Sequence, residues 1–374
     1  MTNPQAAFCP DWVSPPGETI TDLLEEKDWT QLELAGRLGY NKKHLNQLIK
    51  GKASLTEDAA LRLERVLGST ANFWLNREAK YREHLARIEA QELNQKSITW
   101  LDKLPLNELK KAGVIPNERI TAKVKPDLVE QLLRFFGVAS PEQWQEHYET
   151  GMQLAFRRTR DTQSDMGAIS SWLRLGEIEV EKLDSPQHYN QSEFKKALQR
   201  IREFTMQSPE VFEPEMRRLC DKAGVVFVMV PAIPKAHVSG VARWLNPRKP
   251  LIQLSLYGKT NDKFWFTFFH EAAHILLHAD GKKTIYLDDL NSDCQEPQEE
   301  QANQWARDFL IPVVYHNRLP ELRSKEAVKR FSEEIGIHAG IIVGRLQHDK
   351  IIEPSWMNDL KVSFQLGNPD APTI

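Results

Sequence analysis

The sequence predicts a multidomain α+β chain, and three observations carry that expectation. Apolar residues recur at helical spacing from Thr19 onward, and again between residues 98 and 215, where Gly and Pro punctuate the pattern. After Cys220 the period changes to short β-branched and apolar runs at Gly224–Pro231, Val238–Leu245 and Leu251–Tyr257. These are followed at once by FWFTFFHEAAHILLH, residues 264–278, a strongly apolar run with three polar groups in its middle. The expected order is an all-α N-terminal domain over residues 1–88, a helical connector over 89–210, and a C-terminal α+β domain over 211–374.

Composition narrows the class. The chain has 374 residues, enough for two or three domains, and a formal net charge of −3. That balance does not advertise a nucleic-acid partner, so any such partner must be read from local charge. Cys9, Cys220 and Cys294 are odd in number and far apart, which argues against a disulfide framework or a cysteine zinc site. The N-terminus lacks a basic region followed by an apolar one, so the expectation is a cytoplasmic protein with no membrane partner. The apolar run at 264–278 is itself shorter than the roughly 20 residues that span a bilayer.

Residues 1–18 hold five Pro and Gly residues and form an extended lead-in. A first helix then carries Ile20, Leu23 and Leu24 as its apolar stripe. Thr30 followed by Glu33 is a capping-box start for a second helix, lined by Leu32, Ala35 and Leu38 and stopped at Gly39. Asn41 caps a third, with Leu45, Leu48 and Ile49 facing inward. Leu55, Ala60, Leu63 and Leu67 supply core positions for the helices that follow. Two short helices across a tight glycine turn inside a five-helix unit follow the helix-turn-helix plan, which lays its second helix in the major groove of DNA.

Local charge agrees. From Leu34 to Thr56 there are five basic residues and no acidic one. Lys42, Lys43, Asn46 and Gln47 lie on the outward side of the third helix and can reach base edges. Gln31, Lys50 and Lys52 suit phosphates. The stretch TQLELAGRLGYNKKHLNQLIKGKASLTEDAALRLERVLG resembles the Xre/Cro-type helix-turn-helix of HigA-like antitoxins, over about residues 15–85. The resemblance implies binding to double-stranded operator DNA as a homodimer, with Lys42, Lys43 and Gln47 as base readers.

The middle of the chain is plainer. FWLNREAKYREHLARIEAQELNQ continues as a polar helix leading out of the first domain. Helices are expected at Asp127–Phe136, Pro141–Tyr148 and Ser192–Thr205, with Trp100, Phe135, Trp144, Trp172 and Phe194 as core candidates. Arg157, Arg158 and Arg160 form a small basic group whose default explanation is a solvated face.

The chemistry sits in the apolar run. His270 and His274 are four apart, so a helix points both at one spot, and Glu271 between them can take a proton from a water there. This is the HExxH arrangement of zinc peptidases, and a small sheet followed by such a helix is their usual core, a zincin-like fold. A catalytic Zn²⁺ takes three protein ligands. His278 is too far along the helix to be the third and belongs to the helix end or to a supporting contact. Downstream, Ala302, Ala306 and Phe309 form an apolar helical stripe on which Glu299 falls, whereas Glu300 aligns with Gln304 and Arg307 on the polar side. Glu299 is therefore preferred over Glu300 as the third ligand, and Asn303, one turn on, can orient it.

The stretches SGVARWLNPRKPLIQLSLYG, NDKFWFTFFHEAAHILLH, EEQANQWARDFLIP and IGIHAGIIVGRLQHD, over about residues 210–350, together resemble the ImmA/IrrE family of metallopeptidases. The resemblance implies zinc held by His270, His274 and an acidic residue of the ExxAN stretch, with Glu271 as general base. It also implies a regulatory protein, a repressor or antitoxin, as the substrate. Many members have a second Glu directly before the Ala of that stretch, where this chain has Gln301. The competing function is a non-catalytic antitoxin that represses its own operon, neutralises a cognate toxin and uses the peptidase-like domain to bind or sense a partner. Two further helices are expected between Ser324 and Leu346, around Gly336-Ile337-His338, with His338 either a substrate contact or a turn residue, and GNPDAPTI should be a disordered tail.

Overall fold

A computed structural model describes residues 14–150, 165–183, 187–255, 260–278, 286–288 and 297–364, with only the backbone described at 149–150 and 286–288. The Arg157–Arg160 group, Cys9, Cys294, Tyr257 and the C-terminal tail lie outside the described residues. The chain divides into two units, residues 1–98 with 122–127, and residues 99–121 with 128–374. Most of the helical middle region, up to residue 210, therefore falls within the second unit.

In the first unit five helices run α1 (Pro16–Glu26), α2 (Gln31–Leu38), α3 (Lys42–Ile49), α4 (Glu57–Leu67) and α5 (Ala71–Lys96). Each start after the first is set by a side chain that accepts a backbone N–H: Thr30 from Glu33, Asn41 from His44, Thr56 from Ala59 and Thr70 from Phe73. Gly39 ends α2 at φ +72°, a conformation that costs glycine little and other residues more. Ile20, Leu24, Leu34, Ala35, Leu38, Leu45, Leu48, Leu55, Ala60, Leu63 and Leu67 meet in one core. One expectation fails here. Leu32 is 65% exposed, because the inward stripe of α2 runs through Leu34, Ala35 and Leu38 instead. The helix leading out of the first domain starts within its core, where Trp74 of α5 is buried.

Ahead of the sheet run α6 (Leu106–Lys111), α7 (Lys125–Phe136, in the second unit from Leu128 onward), α8 (Pro141–Trp144), α9 (Met166–Glu181), α10 (Gln191–Glu203) and α11 (Pro209–Lys222). All five aromatic core candidates are buried. Strands β1 (Val226–Met229), β2 (Gly240–Asn246), β3 (Lys249–Leu254) and β4 (Tyr286–Asp288) order as β1-β3-β2-β4. β1 is parallel to β3, and β2 is antiparallel to both of its neighbours. The short strand β4 was not anticipated.

The sheet is covered on both faces. α12 (Asn261–Leu277) packs on β2 and β3 on one side. On the other, Gln253 of β3 is buried and donates to the Trp172 carbonyl of α9 at 2.7 Å. Arg243 of β2 likewise reaches Glu177 at 2.8 Å and the Leu173 carbonyl at 3.1 Å. Along Leu251–Ser255 every residue is buried, and the polar Gln253 and Ser255 donate hydrogen bonds to the carbonyls of Trp172 and Val238.

α12 is apolar nearly all round, as a helix buried on every side must be. Phe264, Trp265, Phe268, Phe269, Ala272, Ile275 and Leu276 enter the main core, each large side chain contributing roughly 1.5–3 kcal/mol by leaving water. α13 (Pro297–Leu310) lies against α12, and α14 (Lys325–Ile335) and α15 (Ala339–His348) follow. Arg202 of α10 donates to the carbonyls of Leu310 and Ile335, closing the C-terminal ends of α13 and α14 with one guanidinium. The start of α12 is pinned by the chain end: Asn261 N–H donates to Val362 O at 2.8 Å, and Lys361 pairs with Asp262 at 2.6 Å.

Candidate functional site

α12 and α13 bring three ligand-type side chains to one point. His270 Nε2 and His274 Nε2 are 2.9 Å apart, and Glu299 Oε2 lies 3.2 Å from the first and 3.5 Å from the second. Donors around a tetrahedral ion at 2.0–2.2 Å would stand roughly 3.3 Å from one another. The set therefore fits Zn²⁺ in both chemistry and spacing, and among the described residues these three form a group able to hold a metal ion.

Only 1% of His270 and of His274 is exposed. Burial pushes the His274 imidazole down to about 4, against the opposing pull of its contact with Glu299. Glu299 is held well below the usual carboxylate range: burial resists ionisation, and hydrogen bonds with His270 and His274 overcome it. A neutral ring and an ionised carboxylate are the forms in which these groups bind a metal. Glu300, by contrast, points away and pairs with Arg307 at 2.6 Å.

Glu271 is 0% exposed and sits under β2, where Gly240 makes room for it. A Cβ at position 240 would come within 2.7 Å of Glu271 Oε1 and 2.6 Å of Thr267 Cγ2. Sequence reasoning missed Gly240, because a glycine at a strand start carries no signal until its neighbour across the gap is known. His278 ends α12, with its Nδ1 3.0 Å from His274 Nδ1 and its Nε2 3.1 Å from Gln301 Oε1. Asn303 lies half-buried one turn after Glu299, and the contact to a donor ring is made by His278. His338 caps α15, accepting from Gly340 N–H at 3.0 Å, with Asn261 Nδ2 2.7 Å from the same nitrogen. It stands at the start of that helix.

In the first unit Lys42, Lys43, Gln47, Lys50 and Lys52 are exposed, while Gln31 and Asn46 are half-exposed. Asn41 fixes the start of α3, and the turn after it closes as Lys52 N–H donates to the Gln47 carbonyl at 2.8 Å.

Comparison with known proteins finds a family match for each end of the chain. Residues 20–74 match the helix-turn-helix family, and residues 220–347 match the family described as the IrrE N-terminal-like domain of the M78 peptidases. This chain carries a helix-turn-helix domain and an IrrE-like peptidase-family domain. Virulence-associated protein I of Dichelobacter nodosus is 30% identical over 80 residues, 21% of this chain and 74% of that protein. An uncharacterised HTH-type transcriptional regulator of Escherichia coli strain K12 is 34% identical over 61 residues, 16% of this chain and 65% of that regulator, so less than two thirds of the latter is spanned. The N-terminal family is one of DNA-binding domains, and the C-terminal family is of metallopeptidase kind. Among the described residues no helix is long and apolar enough to cross a membrane.

Proposed function

We propose that this chain is a DNA-binding regulator whose second unit is a zinc-dependent endopeptidase acting on a regulatory protein, a repressor or an antitoxin. The observation that carries the proposal is the convergence of His270, His274 and Glu299 within 3.5 Å beside the buried Glu271. His270 and His274 would hold the metal through Nε2 and Glu299 through Oε2, with His278 and Asn303 as supporting residues. When bound, Zn²⁺ supplies a Lewis acid that acidifies water and polarises a carbonyl. Glu271 holds and moves the proton: its carboxylate takes one from the attacking water and returns it to the leaving amine. Burial under Gly240 keeps that carboxylate in one place and excludes competing water.

In the first unit, Lys42, Lys43, Asn46 and Gln47 read base edges of operator DNA, and Gln31, Lys50 and Lys52 hold phosphates. A two-fold operator is read by a homodimer. These roles suit a cytoplasmic regulator of the toxin–antitoxin kind.

A second reading is a non-catalytic antitoxin-like repressor that uses the peptidase-like unit to bind or sense a partner such as a cognate toxin. The near-complete burial of His270, Glu271 and His274 favours it, because a substrate must reach them. One experiment separates the two: co-expression of the full chain with each protein encoded beside it. The enzyme reading expects one of those proteins to be cut by the wild type and spared by Glu271→Gln. Capture of an intact neighbour by both forms, with no cleavage, supports the second reading and overturns the first.

A further inference from the structure

A hydrogen-bonded chain leads away from one of the three donors. His274 Nδ1 lies 3.0 Å from His278 Nδ1, and His278 Nε2 lies 3.1 Å from Gln301 Oε1. The chain starts at a buried ring, passes a half-buried one and ends on an exposed amide. It also ties together the two helices that supply the donors, since His274 and His278 belong to the end of α12 and Gln301 sits two residues after Glu299 on α13.

We infer that His278 and Gln301 form a neutral relay that fixes which nitrogen of His274 carries its proton and aims the other at the metal. The inference rests on the metal-site reading above. A neutral imidazole has one N–H and one lone pair. If His274 offers its Nε2 lone pair to a metal, its proton is on Nδ1, which faces His278 Nδ1 at 3.0 Å and donates to it. His278 must then accept at Nδ1, which puts its own proton on Nε2, and that proton donates to Gln301 Oε1. Each observed contact fits this arrangement. Metal-bound imidazoles in general are oriented by what the other nitrogen meets. Here that partner is a second histidine, and the acceptor behind it is uncharged.

His278 and Gln301 are positioning residues: neither offers an atom to the group of donors. Gln301 supplies the acceptor without adding a negative charge next to Glu299 and Glu300.

The test uses the full chain loaded with Zn²⁺ and labelled with ¹⁵N-histidine, together with zinc affinity measured against a competing chelator. The relay expects His274 to carry its proton on Nδ1 and His278 on Nε2 in the nitrogen spectrum. Gln301→Leu, an exposed substitution that leaves the core untouched, should weaken zinc binding roughly 10-fold, as loss of an outer hydrogen-bond partner does elsewhere. His278→Phe should do the same, and Gln301→Glu, which keeps an acceptor, should hold the wild-type affinity. Zinc bound at full stoichiometry with the His278 proton on Nδ1 overturns the relay alone. So does a Gln301→Leu protein that binds zinc within twofold of wild type, or a Gln301→Glu protein as weak as Gln301→Leu. A wild-type chain that takes up no zinc overturns the metal-site reading and the relay with it.

Discussion

Two glycine turns in this chain have the same spacing and opposite fates. At Gly39 and at Gly336 the backbone turns left-handed, at φ +72° and +66°, and a side chain two residues later caps the next helix. Leu34, Leu38 and Leu45 around the first turn correspond in position to Phe331, Ile335 and Ile342 around the second, and all six are buried. The helices that follow differ. α3 buries only Leu45 and Leu48 and shows Lys42, Lys43 and Gln47 to solvent, whereas α15 buries Gly340, Ile341, Ile342, Val343 and Leu346 against its own unit. The turn geometry alone therefore does not decide whether the helix after it keeps an exposed polar face: α3 does and α15 does not. The same contrast holds for the units themselves. The first displays its candidate chemistry, and the second buries it at 1% exposure or less for His270, Glu271 and His274.

That contrast can be broken by mutation, starting with the buried side. Glu271→Gln should lower cleavage of the protein substrate by about 10²- to 10⁴-fold, the usual contribution of a general base, and leave zinc content unchanged. An equal loss of zinc would show that Glu271 serves the site's structure and not its proton chemistry. On the exposed side, Lys42→Ala and Lys43→Ala should each cost roughly 1–3 kcal/mol of operator binding and relax sequence preference. The control is Lys350→Ala, an exposed lysine just after α15. It should leave operator binding unchanged; a comparable loss there would erase the distinction between the two turns.

Gly240→Ala should destabilise the second unit by roughly 1–3 kcal/mol, since its methyl group must displace Glu271 or Thr267. Thermal unfolding of the variant reads the stability, and cleavage should fall further than the stability loss explains. A smaller change is expected from Lys50→Ala and Lys52→Ala, each lowering the slope of log affinity against log salt by about 0.9 if it holds a phosphate. The smallest effect concerns pH. Burial lowers the His338 imidazole below its ordinary value, so the folded chain binds its proton less readily than the unfolded one. Its contribution to stability is present above about pH 6.5 and declines as pH falls below that. His338→Asn, which keeps a capping side chain, should flatten that decline in urea unfolding.

Much of this was legible in the sequence, for two different reasons. The caps at Thr30 and Asn41, the stop at Gly39 and the acid-free run from Leu34 to Thr56 are local, and local signals survive folding. The HExxH helix stood out through a conflict, because three polar groups in so apolar a run require partners. Glu299 followed from the helical stripe shared with Ala302 and Ala306, both buried. What stayed hidden depends on elements distant in the chain. Leu32 fell on the wrong side of α2 because an eight-residue helix leaves its inward face poorly defined until its neighbours are placed. What Gln253 does depends on α9, which covers that side of the sheet and offers it the Trp172 carbonyl. Gly240 and Gln301 acquire meaning only across the gap to Glu271 and His278.

The most direct measurement is the zinc content of the purified full chain beside that of two single variants, Glu299→Ala and Glu300→Ala. The account predicts one zinc per chain in the wild type, the same in Glu300→Ala, and none retained by Glu299→Ala. A wild-type chain without zinc after purification in its presence, or a Glu299→Ala protein that still holds it, would contradict the account.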